Sequence, residues 1–379
     1  MAETNVVQVL ETKQLKLAKI GIITGIISGM LWGASGTVLW EGLNFEPFLS
    51  LWPESAGASG AALAGEAQET HIAYLQMIFG VSSGLALAFM HDFFAALWVL
   101  GFNGAKGKIR EYGRALATTP GKIVCVGAIL GGPIGMSGYL LGVSFAGPVY
   151  SLPITASYPA LAAVLSFFIL KERNPIRVWI GVAACIAGSF IIAFGDPGVA
   201  PNFMLGIALA TLACIGWASE GLLATYGMDM LDPDVALGIR EGFSALILGV
   251  VVLPCLGLYM ASKGIVGDVA SGWDLVLATF GLLNSPAVWL CILGGFFGGF
   301  SYIAWYRTLY TCGVARGMAF NVTYAFWAVV FGAIVYSLKG GDVSEYITKN
   351  AWIGSVVICI GAILVSINPR ELFKLRDAC

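Results

Sequence analysis

Residues 32–36 read Trp-Gly-Ala-Ser-Gly, and residues 217–221 read Trp-Ala-Ser-Glu-Gly. Each pentapeptide lies inside an apolar stretch, and pairing the two tryptophans brings the halves of the chain into correspondence. Gly131, Gly132, Gly135 and Tyr139 then match Gly294, Gly295, Gly298 and Tyr302 in the same order. Tyr158 matches Tyr324, His91-Asp92 matches Arg240-Glu241, and the Trp-Ile-Gly at Trp179 meets the one at Trp352. A match sustained over this length means two copies of one structural unit.

Composition says what kind of unit. Of 379 residues, 58% are hydrophobic and 11% charged, against roughly 45–50% and about 25% in a soluble domain, so a soluble globule is excluded. Apolar stretches of about 20 residues cross a bilayer, and the chain predicts ten: 19–39, 76–101, 121–145, 149–170, 177–195, 203–225, 235–260, 287–309, 315–337 and 351–367. Five spans per half is an odd number, so the second copy lies upside down. The expected fold is an all-α integral membrane protein of ten transmembrane helices in two inverted five-helix repeats. Residues 1–18 form a cytoplasmic segment, 19–195 the first repeat with an external loop at 40–75, 203–367 the second repeat and 368–379 a cytoplasmic tail. Inverted repeats mark alternating-access carriers that hold the ligand near the midplane.

Loop charge orients the spans. With both termini in the cytoplasm, only Lys263, Lys339 and Lys349 of the 20 Lys and Arg fall on the other side, as the positive-inside rule requires. The chain is expected in a bacterial-type cytoplasmic membrane, and Lys13 and Lys16 ahead of span 1 read as an anchored first helix rather than a cleaved leader. A net charge of −2 offers no field for nucleic acid. Six of eight cysteines lie inside apolar spans and no C-x-x-C occurs, so neither a disulfide framework, a zinc site nor any other cofactor is expected. A homodimer is compatible with the sequence, as is a monomer.

The run Tyr158-Pro-Ala-Leu-Ala-Ala-Val-Leu-Ser-Phe-Phe-Ile-Leu-Lys-Glu172, followed by Trp179-Ile-Gly and a glycine-rich span, resembles the EamA-type repeat of the drug/metabolite transporter superfamily. Within it, Met90-His-Asp-Phe93, Gly132-Pro-Ile-Gly-Met136, Trp217-x-Ser-Glu220, Ile239-Arg240, Ser301-Tyr-x-Ala-x-Tyr306 and Asn321-Val-x-Tyr324 with Trp327 are most similar to the LicB-type choline permeases. The resemblance implies a secondary carrier importing choline or a related quaternary ammonium, driven by membrane potential and open to proton coupling. The long 40–75 and 262–286 loops and Glu241 depart from that pattern.

Choline's nitrogen donates no hydrogen bond, so its site must replace water with π-faces and a nearby anion; each well-placed ring contributes about 0.5–2 kcal/mol. Trp32, Trp217, Tyr302, Tyr306, Tyr324 and Trp327 are the candidate rings, mid-span where Trp and Tyr ordinarily prefer the interfaces. Packing between helices is the plainer alternative for each. Glu220, three residues after Trp217, is a carboxylate inside an apolar helix, at a cost of roughly 2.5–3.5 kcal/mol. A bound cation or a proton would compensate it, or it stays protonated and donates to a carbonyl. Asn321 offers an amide to a substrate hydroxyl. His91, Asp92, Arg240 and Glu241 form a second charged set, read either as a coupling relay or gate or as a fixed strut. Gly21, Gly25, Gly29 and Gly33 make a smooth ridge on span 1, and Pro133, Pro153 and Pro159 kink spans 3 and 4. Three other functions stay open: an exporter of amino acids or organic cations, a receptor with the same cage, and an enzyme built on the G-x-S-x-G at 80–84, which lacks a strand-to-helix setting.

Overall fold

The computed structural model describes residues 2–43, 66–165, 167–168, 175–193, 202–263, 272–341, 343 and 349–366. Within them the chain forms α1 (Ala2–Leu43), α2 (Glu66–Ala105), α3 (Ile109–Leu116), α4 (Thr119–Ile129), α5 (Ser137–Ala146), α6 (Pro148–Thr155), α7 (Tyr158–Leu165) and α8 (Ile176–Ala193). The second half forms α9 (Phe203–Gly227), α10 (Pro233–Ile247), α11 (Leu253–Ser262), α12 (Trp273–Gly281), α13 (Ala287–Cys312), α14 (Val314–Asn321), α15 (Tyr324–Leu338) and α16 (Lys349–Ser366). Among the described residues, six stretches are long and apolar enough to cross a membrane: 15–43, 80–105, 119–146, 203–227, 233–262 and 287–312. Shorter apolar helices stand at 149–165, 176–191, 273–284, 324–338 and 352–365.

Several boundaries differ from expectation. The segment before span 1 is helical from Ala2, and helix continues to Leu43 and resumes at Glu66, so the 40–75 loop is helical at both ends; 44–65 and 368–379 lie outside the described residues. The 262–286 loop contains α12, whose Leu275 and Val276 are buried. Spans 4 and 9 are each broken, at 156–157 and 322–323. Proline explains the irregularities of span 3: without an N–H, Pro133 cannot complete the α ladder, and Leu130–Met136 widens into a π-helical stretch. Pro254 follows a second such stretch, Leu248–Val252, which joins α10 to α11.

Helices that the sequence match pairs make similar contacts. α1 packs along α13, and its counterpart α9 packs along α4 and α5, the counterparts of α13; α8 packs on α16. Span 3 passes to span 4 through Gly147 at φ 81°, and span 8 to span 9 through Gly313 at φ 82°. Both turns need the left-handed region that only glycine enters without strain. The glycine ridge of α1 is a packing surface, since a Cβ at Gly25 would meet Phe320 and Thr308, and one at Gly33 would meet Trp327.

Candidate functional site

Glycine makes the room for the centre of the molecule. A side chain at Gly131 would overlap the Glu220 carboxylate, one at Gly132 would overlap Ser244 Oγ, and one at Gly298 would overlap His91 Nε2. The widened turn that Pro133 imposes also presents the Gly131 carbonyl to Trp217, whose Nε1 donates to it at 3.1 Å. The local sequence of span 3 therefore sets the depth at which α9 places Trp217 and Glu220.

Around that point the rings of both halves converge. Trp32 meets Trp217 at 5.5 Å and Tyr302 at 5.2 Å between centroids, each nearly edge-on, and lies 5.7 Å from His91. A cavity is lined by Trp32, Tyr158, Trp217, Ser301, Tyr302, Trp305, Asn321 and Tyr324. Its volume is about 20 Å³, room for about one water. The rings are closed on one another in this conformation.

One wall is polar and neutral. Tyr158 Oη donates to Asn321 Oδ1 at 2.9 Å, Asn321 Nδ2 donates to Ser28 Oγ at 2.6 Å, and Ser301 Oγ donates to the Ser28 carbonyl at 2.8 Å. Tyr324 Oη lies 2.7 Å from Thr155 Oγ1.

Behind Tyr302 and Trp217, outside the cavity lining, lies a charged network. Arg240 Nε donates to Glu220 Oε1 at 2.7 Å, Nη1 to Glu241 Oε2 at 3.0 Å and Nη2 to Tyr302 Oη at 3.0 Å; Nη1 also stands 3.6 Å from Asp92 Oδ2. Tyr306 Oη donates to Glu220 Oε1 at 2.9 Å. His91 Nδ1 donates to Asp92 Oδ1 at 2.8 Å, and Ser244 Oγ closes on Asp92 Oδ2. All five ionisable groups are fully buried. Three carboxylates thus share one guanidinium, with His91 as a second basic group on Asp92, and buried ions are stable only when paired and hydrogen-bonded. Among the described residues, His91 Nε2 and Glu241 Oε1 keep no hydrogen-bond partner.

The sequence reading kept Glu220 apart from the His91, Asp92, Arg240 and Glu241 set; the structure joins them into one network, with Arg240 as the cation on Glu220. Trp32, Trp217, Tyr302, Asn321 and Tyr324 reach the cavity, while Tyr306 stands behind it on Glu220. Trp327 does not line the cavity: its Cβ is the group that a side chain at Gly33 would meet, and its ring stacks on Phe331 at 5.9 Å. Sequence reasoning missed Tyr158, Ser301 and Trp305 as lining residues. The signal for Tyr158 was its match to Tyr324, and for Trp305 its helical spacing from Tyr302. Ser82 and Ser83 of the G-x-S-x-G lie within helix α2.

A multi-pass membrane protein, all-helical among the described residues, is the class defined here, and comparison with known proteins agrees with that class. Residues 62–194, about a third of the chain, match the EamA-like transporter family. It is similar to Protein LicB of Haemophilus influenzae, with 30% identity over 209 residues, 55% of this chain and 65% of that protein. The match thus spans just under two thirds of the relative. A solved structure titled only "Crystal structure of protein" aligns over 91% of this chain and 95% of its own, at 15% identity and a TM-score of 0.50, a likeness of fold alone.

Proposed function

We propose that the protein is a secondary carrier that imports choline or a closely related quaternary ammonium compound across the cytoplasmic membrane. The observation that carries this reading is the juxtaposition of indole and phenol faces from Trp32, Trp217, Tyr302 and Trp305 with a buried cluster in which acids outnumber Arg240 three to one. Such a site favours a cation that cannot be held by hydrogen bonds from its own nitrogen. Three or four rings at about 0.5–2 kcal/mol each suffice for binding without a tight ion pair. On the opposite wall Asn321, Ser301 and Tyr158 offer neutral donors and acceptors, suited to an alcohol rather than a carboxylate.

The two five-span halves, inverted with respect to each other, move alternately around this centre, and the closed cavity is the occluded stage of that cycle. Both termini lie in the cytoplasm. An inside-negative potential of about 100 mV supplies roughly 2.3 kcal/mol per imported charge. A co-transported proton finds its place in the same cluster, where His91 Nε2 and Glu241 Oε1 have polar capacity unused among the described residues. Export of amino acids fits less well, because the one guanidinium at the centre is already engaged by carboxylates.

Uptake of radiolabelled choline into proteoliposomes with an imposed potassium diffusion potential tests the reading. Accumulation that follows the potential and is lost on Trp217→Ala supports it; absence of potential-dependent uptake by the wild type removes it.

A further inference from the structure

The aromatic wall and its acid already hold a cation, and that cation belongs to the protein. Arg240 Cζ stands 4.3 Å from the centroid of Tyr302, while Nε is 2.7 Å from Glu220 Oε1. A π-face and a carboxylate are the two contacts that an alkylammonium needs, and here one guanidinium makes both. With Arg240 in this place the cavity beside it has room for about one water, well short of a trimethylammonium group.

The guanidinium has a second set of partners within reach. Nη1 donates to Glu241 Oε2 at 3.0 Å and is 3.6 Å from Asp92 Oδ2. Glu241 Oε1 is buried and keeps no partner among the described residues. A small shift of the Arg240 side chain away from Glu220 would therefore exchange one carboxylate for others and keep the guanidinium paired. The arriving cation would in turn neutralise the Glu220 that the shift uncovers. Acid in excess of base makes the exchange feasible; a balanced pair would oppose it.

We propose that Arg240 is an internal stand-in for the substrate cation: it occupies Glu220 and the Tyr302 face while the carrier is empty, and substrate binds by displacing it toward Glu241 and Asp92. The proposal deepens the choline-carrier reading and rests on it. Its structural consequence follows from where the groups sit. Glu220 is on α9, Arg240 and Glu241 on α10, and Asp92 on α2. Displacement breaks the tie between α9 and α10 and strengthens that between α10 and α2, so occupancy of the site alters which helices are held together. An empty carrier stays tied shut, and a competitor built into the site lowers the apparent affinity for substrate by the fraction of time the site is blocked.

Choline binding to the purified wild type and variants in nanodiscs, followed by tryptophan fluorescence and calorimetry, tests this. Removing or weakening the stand-in should tighten binding: Arg240→Gln by about tenfold, and Arg240→Lys, which keeps the charge but loses the forked geometry, by a few-fold. Methylguanidinium at millimolar concentration should compete with choline in Arg240→Gln and far less in the wild type, a readout that a purely structural arginine would not move. The pair Asp92→Asn with Glu241→Gln, which removes the alternative partners, should weaken choline binding about tenfold or more although Glu220 and every ring are intact. Should Arg240→Gln fail to fold, Arg240→Lys and the Asp92/Glu241 pair decide. Folded Arg240 variants that bind choline no better than the wild type, or a folded Asp92/Glu241 variant that binds it as well, overturn the stand-in. A wild type that binds no choline removes the carrier reading itself, which is a distinct result.

Discussion

Two acid-centred clusters of this molecule have opposite stoichiometry. At the centre, Asp92, Glu220 and Glu241 share Arg240, all fully buried. Where α2, α10 and α13 end together, the single Asp234 is shared by Arg307 at 2.8 Å, Lys108 at 2.9 Å and Lys106 at 3.0 Å, with all three cations partly exposed. Asp232 caps α10 by accepting from the backbone N–H of Asp234 and Val235, and it binds Lys108 as well. Burial works against the charge of Lys108, but hydrogen bonds to Asp232 and Asp234 outweigh it and hold the ammonium above its usual range. The end cluster has every acid satisfied and water nearby to take up the surplus cations, so it is a brace between three helix ends. The central cluster has more acids than guanidinium groups and is fully buried, which is the condition under which a further cation is attractive. The balance of acids and bases, together with burial, separates the strut from the proposed binding centre.

Experiments that break this contrast differ in expected size. The largest effect belongs to Glu220→Gln: choline uptake should fall at least about 100-fold, since stripping one partner from a buried ion network costs roughly 3–5 kcal/mol, measured as initial rate at saturating potential. Trp217→Ala comes next and should raise the choline Kd about tenfold to thirtyfold, from the loss of one ring face at up to about 2 kcal/mol, with calorimetry as the check. Asp234→Asn should lower the thermal unfolding midpoint by a few degrees while choline affinity stays within about twofold. An affinity loss at Asp234 as large as at Trp217 would erase the distinction between brace and centre. Salt sharpens the same point. Raising ionic strength should destabilise the wild type through the exposed cluster, because the Debye length shrinks to about 3 Å at 1 M, and Asp234→Asn should show less of that dependence. The smallest effect is expected for Trp327→Leu, under about twofold in uptake, since its ring stacks on Phe331 away from the cavity.

Much of the centre was legible beforehand for reasons that can be named. Trp32, Trp217, Tyr302 and Tyr324 were found because amphipathic rings in mid-span contradict their usual preference for the interface, and because they recur between the halves. Glu220 was found because a carboxylate in an apolar helix demands a partner. The identity of that partner was not legible. Arg240 sits on the next span beside Glu241 and matches His91 in the repeat, so along the chain it reads as part of a different set. Trp327 shows the converse. Its spacing from Tyr324 is that of one helical face, yet close packing of α15 on the glycine ridge of α1 turns its ring elsewhere. Tyr158 was quoted only as part of a motif, and it enters the wall because the break at 156–157 brings the start of α7 beside the cavity; Trp305 enters it from α13, one helical turn from Tyr302.

Apolar span length and the prolines that widen or break helices are local properties, so the amino-acid order alone determined them. Which acid holds Arg240, how tightly the rings close, and which aromatic turns away depend on distances between spans far apart in the chain. Coulomb attraction and packing act through space, so only the tertiary structure decided those.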